Sequence, residues 1–268
     1  ARTLGNDIQI SGTLTFGTGS GYTGPVTLAG SVLMLGNTTL TGYDSHNIDG
    51  AISDGGSNYS LTVAGSTVNF NGDQTYLGQL RVTGGAAVMN NAAVTRDGGT
   101  LLAGGTIRLG ADSTGLPVTS GPLGTGVLTI NSGSLMSSSG ATRTLGNDIT
   151  LNGNVTLGAN ATYNGVLNLD GQVTLTGSRM ITVNNPVANF ANLNGVVTES
   201  APMSRISKAG QGTLAFNNAA SDFSGGLTVY QGVAYFTAGT AATGNFIVSG
   251  GTLRGTALVG DSPFGSNA

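Results

Sequence analysis

Arg2-Thr3-Leu4-Gly5-Asn6-Asp7-Ile8 returns unchanged as Arg143-Thr144-Leu145-Gly146-Asn147-Asp148-Ile149, past the midpoint of a chain of 268 residues. Held at that offset without a gap, residues 1–36 and 142–177 agree at 16 positions, among them Gly12 with Gly153, Tyr22 with Tyr163, Gly30 with Gly171 and Val32 with Val173. Many disagreements exchange one apolar residue for another: Ile10 faces Leu151, Leu14 faces Val155, Phe16 faces Leu157 and Met34 faces Leu175. Two fillings of the same buried positions would differ in this way. With small shifts the match continues through Gly98-Gly99-Thr100-Leu101 and Gly250-Gly251-Thr252-Leu253. It returns to the first offset at Pro122-Leu123-Gly124 and Pro263-Phe264-Gly265. The chain therefore reads as repeat copy 1 over 1–140 and a truncated copy 2 over 141–268, and it is expected to be a piece of a longer array.

Inside each copy, apolar and small polar residues alternate, the period of a strand with one buried face. Ile8-Gln9-Ile10, Leu14-Thr15-Phe16, Val26-Thr27-Leu28, Val155-Thr156-Leu157 and Leu227-Thr228-Val229 show it. Gly-Gly, Asn-Gly, Asp-Gly and Ser-Gly pairs separate these runs and supply tight corners. No stretch carries a helical period. A sandwich has no reason to repeat one long strand series, whereas a solenoid lengthens by duplication because each coil touches only its neighbours. The expected fold is thus all-β, one continuous parallel β-solenoid over 1–268. At roughly 20 residues per coil it would make an elongated stack of about 13 coils. Ile8, Leu14, Leu28, Ile149, Val155 and Leu169 are expected to face inward, with the intervening Thr and Asn outward.

Composition narrows the function. Charged residues make up 8% of the chain and hydrophobic ones 38%, with 47 glycines and a mean hydropathy of +0.14. That is too apolar for a disordered chain and too irregular in its glycines for collagen. A net charge of −3 with nine scattered basic residues gives no footprint for nucleic acid. No apolar run approaches the roughly 18 residues that span a bilayer, so no membrane insertion by this segment is expected. The start, Ala1-Arg2-Thr3-Leu4, lacks the regions of a signal peptide. The absence of cysteine removes disulfides, thiolate metal sites and cysteine nucleophiles. Low charge and abundant Thr, Asn and Gly point to an extracellular setting.

Residues 207–229 carry a more specific pattern: Ser-Lys-Ala-Gly-Gln-Gly-Thr-Leu-Ala-Phe, then Asp222-Phe223-Ser224-Gly225-Gly226-Leu227-Thr228-Val229. This resembles the autotransporter-associated β-strand repeat of bacterial type V secreted passenger regions, with its Lys-Ala-Gly-x-Gly-Thr-Leu strand followed by an aromatic, Ser or Thr, and Gly-Gly. The resemblance implies a single-stranded right-handed parallel β-helix on the bacterial surface, serving as an adhesin or structural spacer. From the mid-repeat position of its ends, further copies or repeats are expected to stack there, and surface glycans are the partners of an alternative carbohydrate-binding reading. The corresponding strand of copy 1, Thr62-Val63-Ala64-Gly65-Ser66-Thr67-Val68, has no lysine, so Lys208 is not expected to be a required functional residue.

Parallel β-helices also host polysaccharide lyases and hydrolases, which converge carboxylates on one groove. The densest polar cluster is Tyr43-Asp44-Ser45-His46-Asn47-Ile48-Asp49-Gly50, with Asp54 beyond. Its functional readings make Asp44 and Asp49 acid and base, or Asp44, Asn47, Asp49 and Asp54 calcium ligands. The simpler reading is a solvated loop, and no catalytic residue or cofactor is assigned. His46 has no partner for a zinc site. Asp7 and Asp148 recur in the repeated block as corner caps. Gly17-Thr18-Gly19-Ser20-Gly21 lacks the lysine and helix of a phosphate loop. The Asn-x-Ser/Thr triplets at Asn37, Asn58, Asn154 and Asn160 carry no glycosylation claim. Tyr22, Tyr76, Tyr163 and Phe223 are expected to be structural.

Overall fold

The computed structural model describes residues 1–17, 24–237 and 242–256. Tyr22, most of the Gly17–Gly21 segment and Pro263-Phe264-Gly265 lie outside them. Twenty-four short strands and no helix are present among the described residues, and the strands stack in parallel as a β-solenoid of about 11 turns. The chain divides into two compact units, Ala1–Leu128 and Thr129–Ala268, so the division falls ahead of the copy boundary at 140/141.

In the first unit, Arg2–Leu4 pairs with Val26–Leu28, which pairs with Ser45–Ile48 and then with Leu61–Phe70. The strand Ile8–Phe16 runs beside Val32–Gly42, first as Ile8↔Val32 and, after a register shift, as Leu14↔Leu40. Leu61–Phe70, Leu80–Met89 and Thr100–Leu109 stack with Val63, Val82 and Leu102 in one inward file. In the second unit three files can be followed. One holds Arg143–Leu145, Leu167–Leu169, Ala191–Leu193, Thr213–Phe216, Val233–Phe236 and Thr252–Gly255. A second holds Ile149–Leu151, Val173–Leu175 and Val197–Glu199. The third holds Val155–Leu157, Arg179–Val183, Ile206–Ala209, Leu227–Val229 and Phe246–Val248.

Alternation explains the core. In the first file, Leu145, Leu169, Leu193, Phe216 and Phe236 sit above one another and are buried, with Phe216 and Phe236 stacked at 4.6 Å. Leu28, Ile149, Val155 and Leu169 are buried as expected, while Ile8 and Leu14 are half-buried. Tyr76 and Phe223 are fully buried, as their structural reading requires.

The duplication persists in register. Arg2 pairs with Val26 and Arg143 with Leu167, the same step along the chain in both copies. Leu14↔Leu40 and Val155↔Ile181 likewise share one step. The repeated corner has one steric cause. A Cβ on Gly30 would stand 2.2 Å from the Asn6 carbonyl oxygen, and a Cβ on Gly171 would stand 2.2 Å from that of Asn147. Neighbouring coils approach backbone to backbone there, and any side chain would force them apart. Most coils are longer than sequence alone suggests, and the stack accordingly has fewer of them. One step, from Asp7 to Ser31, covers 24 residues, and another, from Asn154 to Met180, covers 26 residues. Shorter steps are interspersed, as at Leu28↔Ile48 and Phe216↔Phe236.

Candidate functional site

The Tyr43–Gly50 segment is not the solvated loop expected. Ser45–Ile48 is a strand of the stack, with His46 and Ile48 buried. The His46 ring stacks on Phe16 at 4.4 Å, its Nδ1 accepts from the Val26 amide at 3.2 Å, and its Nε2 meets the Tyr43 carbonyl. Those contacts assign the proton to Nε2 and use both ring nitrogens, leaving His46 as a packed link between coils.

The four calcium candidates are not brought together. Among the described residues no group of three or more His, Asp or Glu stands where it could hold a metal ion. Asp44 accepts from the Gly24 amide at 2.9 Å. Asn47 donates to the Thr27 hydroxyl at 3.1 Å and accepts from Asn69 at 3.0 Å. Asp49 accepts from Asn71 at 2.6 Å. The Asp54 carboxylate is buried and accepts three amides, from Gly56, Tyr59 and Leu77, each at 3.0 Å. Burial pushes its pKa up, but these backbone donors outweigh burial and hold the carboxyl below its ordinary range.

A common arrangement underlies these contacts. Asp7 accepts the Ser31 amide and Asp148 the Gln172 amide, at 2.8 and 2.9 Å, so each caps the next coil instead of its own corner. Asn37 does the same for Ser60 and Asn154 for Met180. Elsewhere the side chains form ladders. In the first unit Asn90 donates to Asn71, which donates to Asp49. In the second, Thr237 donates to Asn217, Asn217 to Asn194 and Asn194 to Asp170, each at 2.7 Å. The inner amides, Asn71, Asn194 and Asn217, both donate and accept, which favours cooperative strengthening along the file. Asn194→Ala removes two rungs, and equilibrium denaturation should show a loss of about 1–3 kcal/mol, against little change for an exposed position outside the ladders.

Lys208 is the residue that sequence reasoning missed. It occupies an inward position of Ile206–Ala209, between Ile181 and Val229, and its side chain is 0% exposed. Its Nζ donates to the carbonyls of Ala209, Gly210 and Gln231 at 2.7, 2.7 and 3.0 Å, so all three ammonium protons are used. Burial lowers its pKa to about 8. The available signals were the inward parity of Ile206-Ser207-Lys208 and the Lys-Ala-Gly motif itself. Glu199 has a comparable role: it follows Leu151 and Leu175 in an otherwise apolar file and accepts from the Ser204 amide and the Ser224 hydroxyl.

A concave polar surface lies in the second unit, a groove of about 480 Å³ along the corners that follow the third file. Gly158, Asn184, Gly210 and Gln231 succeed one another there, with Ser134 and Thr156 beside them and Met136 as an apolar contact. These features define a parallel β-solenoid whose polar side chains join successive coils. Comparison with protein-family models, curated proteins and solved structures finds no match for this chain.

Proposed function

We propose that this chain is a non-enzymatic structural or adhesive β-solenoid of a bacterial surface or secreted protein, acting outside the cell. The supporting observation is how its chemically capable side chains are used. Asp49, Asp54, His46, Glu199 and Lys208 are each engaged in hydrogen bonds that link segments of the stack. A catalytic pair needs groups free to exchange protons with a substrate. The resemblance of residues 207–229 to autotransporter passengers supports the extracellular setting. The parallel ladder accepts a further coil by the same hydrogen bonds that join its own, so stacked repeats or copies of the chain are the proposed partners.

Incubation of the purified chain with plant and bacterial polysaccharides, read by release of reducing ends, tests this reading. No turnover is expected. Cleavage abolished by Asp49→Ala would replace it with a polysaccharide lyase or hydrolase. Electron microscopy with the intact subunit mass addresses the stacking. Regular fibres of single chains would support assembly between copies, and a longer polypeptide would place the further coils in the same chain.

A further inference from the structure

We propose that the polar groove of the second unit binds a neutral polysaccharide lying along the coil corners. This rests on the adhesive reading and names its ligand class and site. Elsewhere in the solenoid, asparagines such as Asn71, Asn217 and Asn154 pair in ladders or cap neighbouring coils. In the groove, Asn184 does neither. The side-chain amides of Asn184 and Gln231 and the hydroxyls of Ser134 and Thr156 have no hydrogen-bond partner among the described residues, yet all line the same concavity. Asn160 meets only Gln211, whose Nε2 donates to its Oδ1 at 2.7 Å.

The chemistry of these groups selects the ligand. Amides and hydroxyls donate and accept at once, as sugar hydroxyls do, and no charged residue among those described lines the groove. An anionic ligand would find no counter-charge there. The volume falls within the ~300–1,000 Å³ of ordinary ligand pockets. Its direction also fits. Successive coils rise by about 4.8 Å, similar to the advance per ring of an extended polysaccharide, so repeating corners can meet repeating sugars.

The groove is also held from inside. Buried Asn185 accepts from the Ala159 amide at 3.1 Å and donates to the Gly165 carbonyl at 3.0 Å, fixing the corner that presents Asn160. Lys208 grips the carbonyls of Gly210 and Gln231. Two buried polar side chains thus position the two walls, with Gly158 and Gly210 also lining the groove. Asn185 and Lys208 are positioning residues; Asn184 and Gln231 would touch the sugar.

Titration calorimetry of the full chain with cellohexaose, xylohexaose and mannohexaose, and with a hyaluronan oligosaccharide as the charged control, tests the proposal. At least one neutral hexasaccharide should bind. Asn184→Ala and Gln231→Ala should each weaken it about five- to tenfold while leaving the melting temperature unchanged, because neither side chain has an internal partner. Tyr235→Ala, on another face of the second unit, should leave binding intact. The proposal is overturned by no binding to any neutral sugar, by binding of hyaluronan alone, or by binding indifferent to both groove substitutions. Reducing-end release separates the two readings: cleavage with groove-dependent binding would refute the non-enzymatic reading and keep the groove, whereas groove-independent binding without cleavage would do the reverse.

Discussion

Val155→Asp should cost about 4 kcal/mol or more and melt the protein well below the parent, whereas Thr156→Asp should stay within about 1 kcal/mol. Val155 is 4% exposed, and its file continues through Ile181, Lys208 and Val229. Ile149, Leu151, Leu157 and Leu169 line the same interior. The corner carbonyls that hold Lys208 are acceptors and cannot pair with a carboxylate, so the charge of an aspartate there would be buried without a partner. Thr156 is half-buried and faces the groove. Thermal and urea unfolding of the two variants should differ sharply, and equal behaviour would show that the facing of this strand is wrong.

The same file shows when a charge is tolerated inside. Lys208 reaches past its apolar neighbours to three carbonyls, which take up its three ammonium protons. Lys208→Met keeps the volume but leaves the carbonyls of Ala209, Gly210 and Gln231 without their donor. A loss of about 3 kcal/mol is expected, since each buried orphan costs roughly 1–3 kcal/mol and the relief from burying a charge returns part of it. The pH dependence has a definite sign. The folded pKa is about 8 and the ordinary value 10.5. Between them the folded protein has released the proton that the unfolded chain still binds, so stability rises with pH across that window. The stability difference between the parent and Lys208→Met should therefore grow from pH 8 to 10.5 and be flat below pH 8. A flat difference throughout would mean that Lys208 titrates normally.

Much of this fold is legible because alternation reports which way a side chain faces. That signal alone places Leu28, Ile149, Val155 and Leu169 inward, and the duplicated Arg-Thr-Leu-Gly-Asn-Asp-Ile block pairs with the same step in both copies. What a residue touches on the next coil is not legible. Asp49-Gly50 and Asn71-Gly72 each look like an ordinary turn, and their connection spans 22 residues, beyond the reach of local turn chemistry. Coil length is hidden because corner residues add length without changing the alternation between them. The strand at His46 is obscured by its polar neighbours, since Ser45 and Asn47 face away from the core that His46 and Ile48 enter. Lys208 looks dispensable because copy 1 lacks it. A comparison of the two copies weighs side chains alone, and the backbone carbonyls that hold its ammonium carry no sequence signal.

The central claim is that the carboxylates and amides of this chain hold coils together instead of performing chemistry, and Asp49 tests it most directly. Its Oδ1 accepts from Asn71, and an asparagine oxygen at the same place can accept the same bond. Unfolding free energies and reducing-end release should be measured on the parent, Asp49→Asn and Asp49→Ala. The expected result is no turnover from any of them, with Asp49→Asn close to the parent in stability and Asp49→Ala lower by about 0.5–1.5 kcal/mol. Polysaccharide cleavage by the parent that both substitutions abolish, with stability unchanged in both, would contradict the claim.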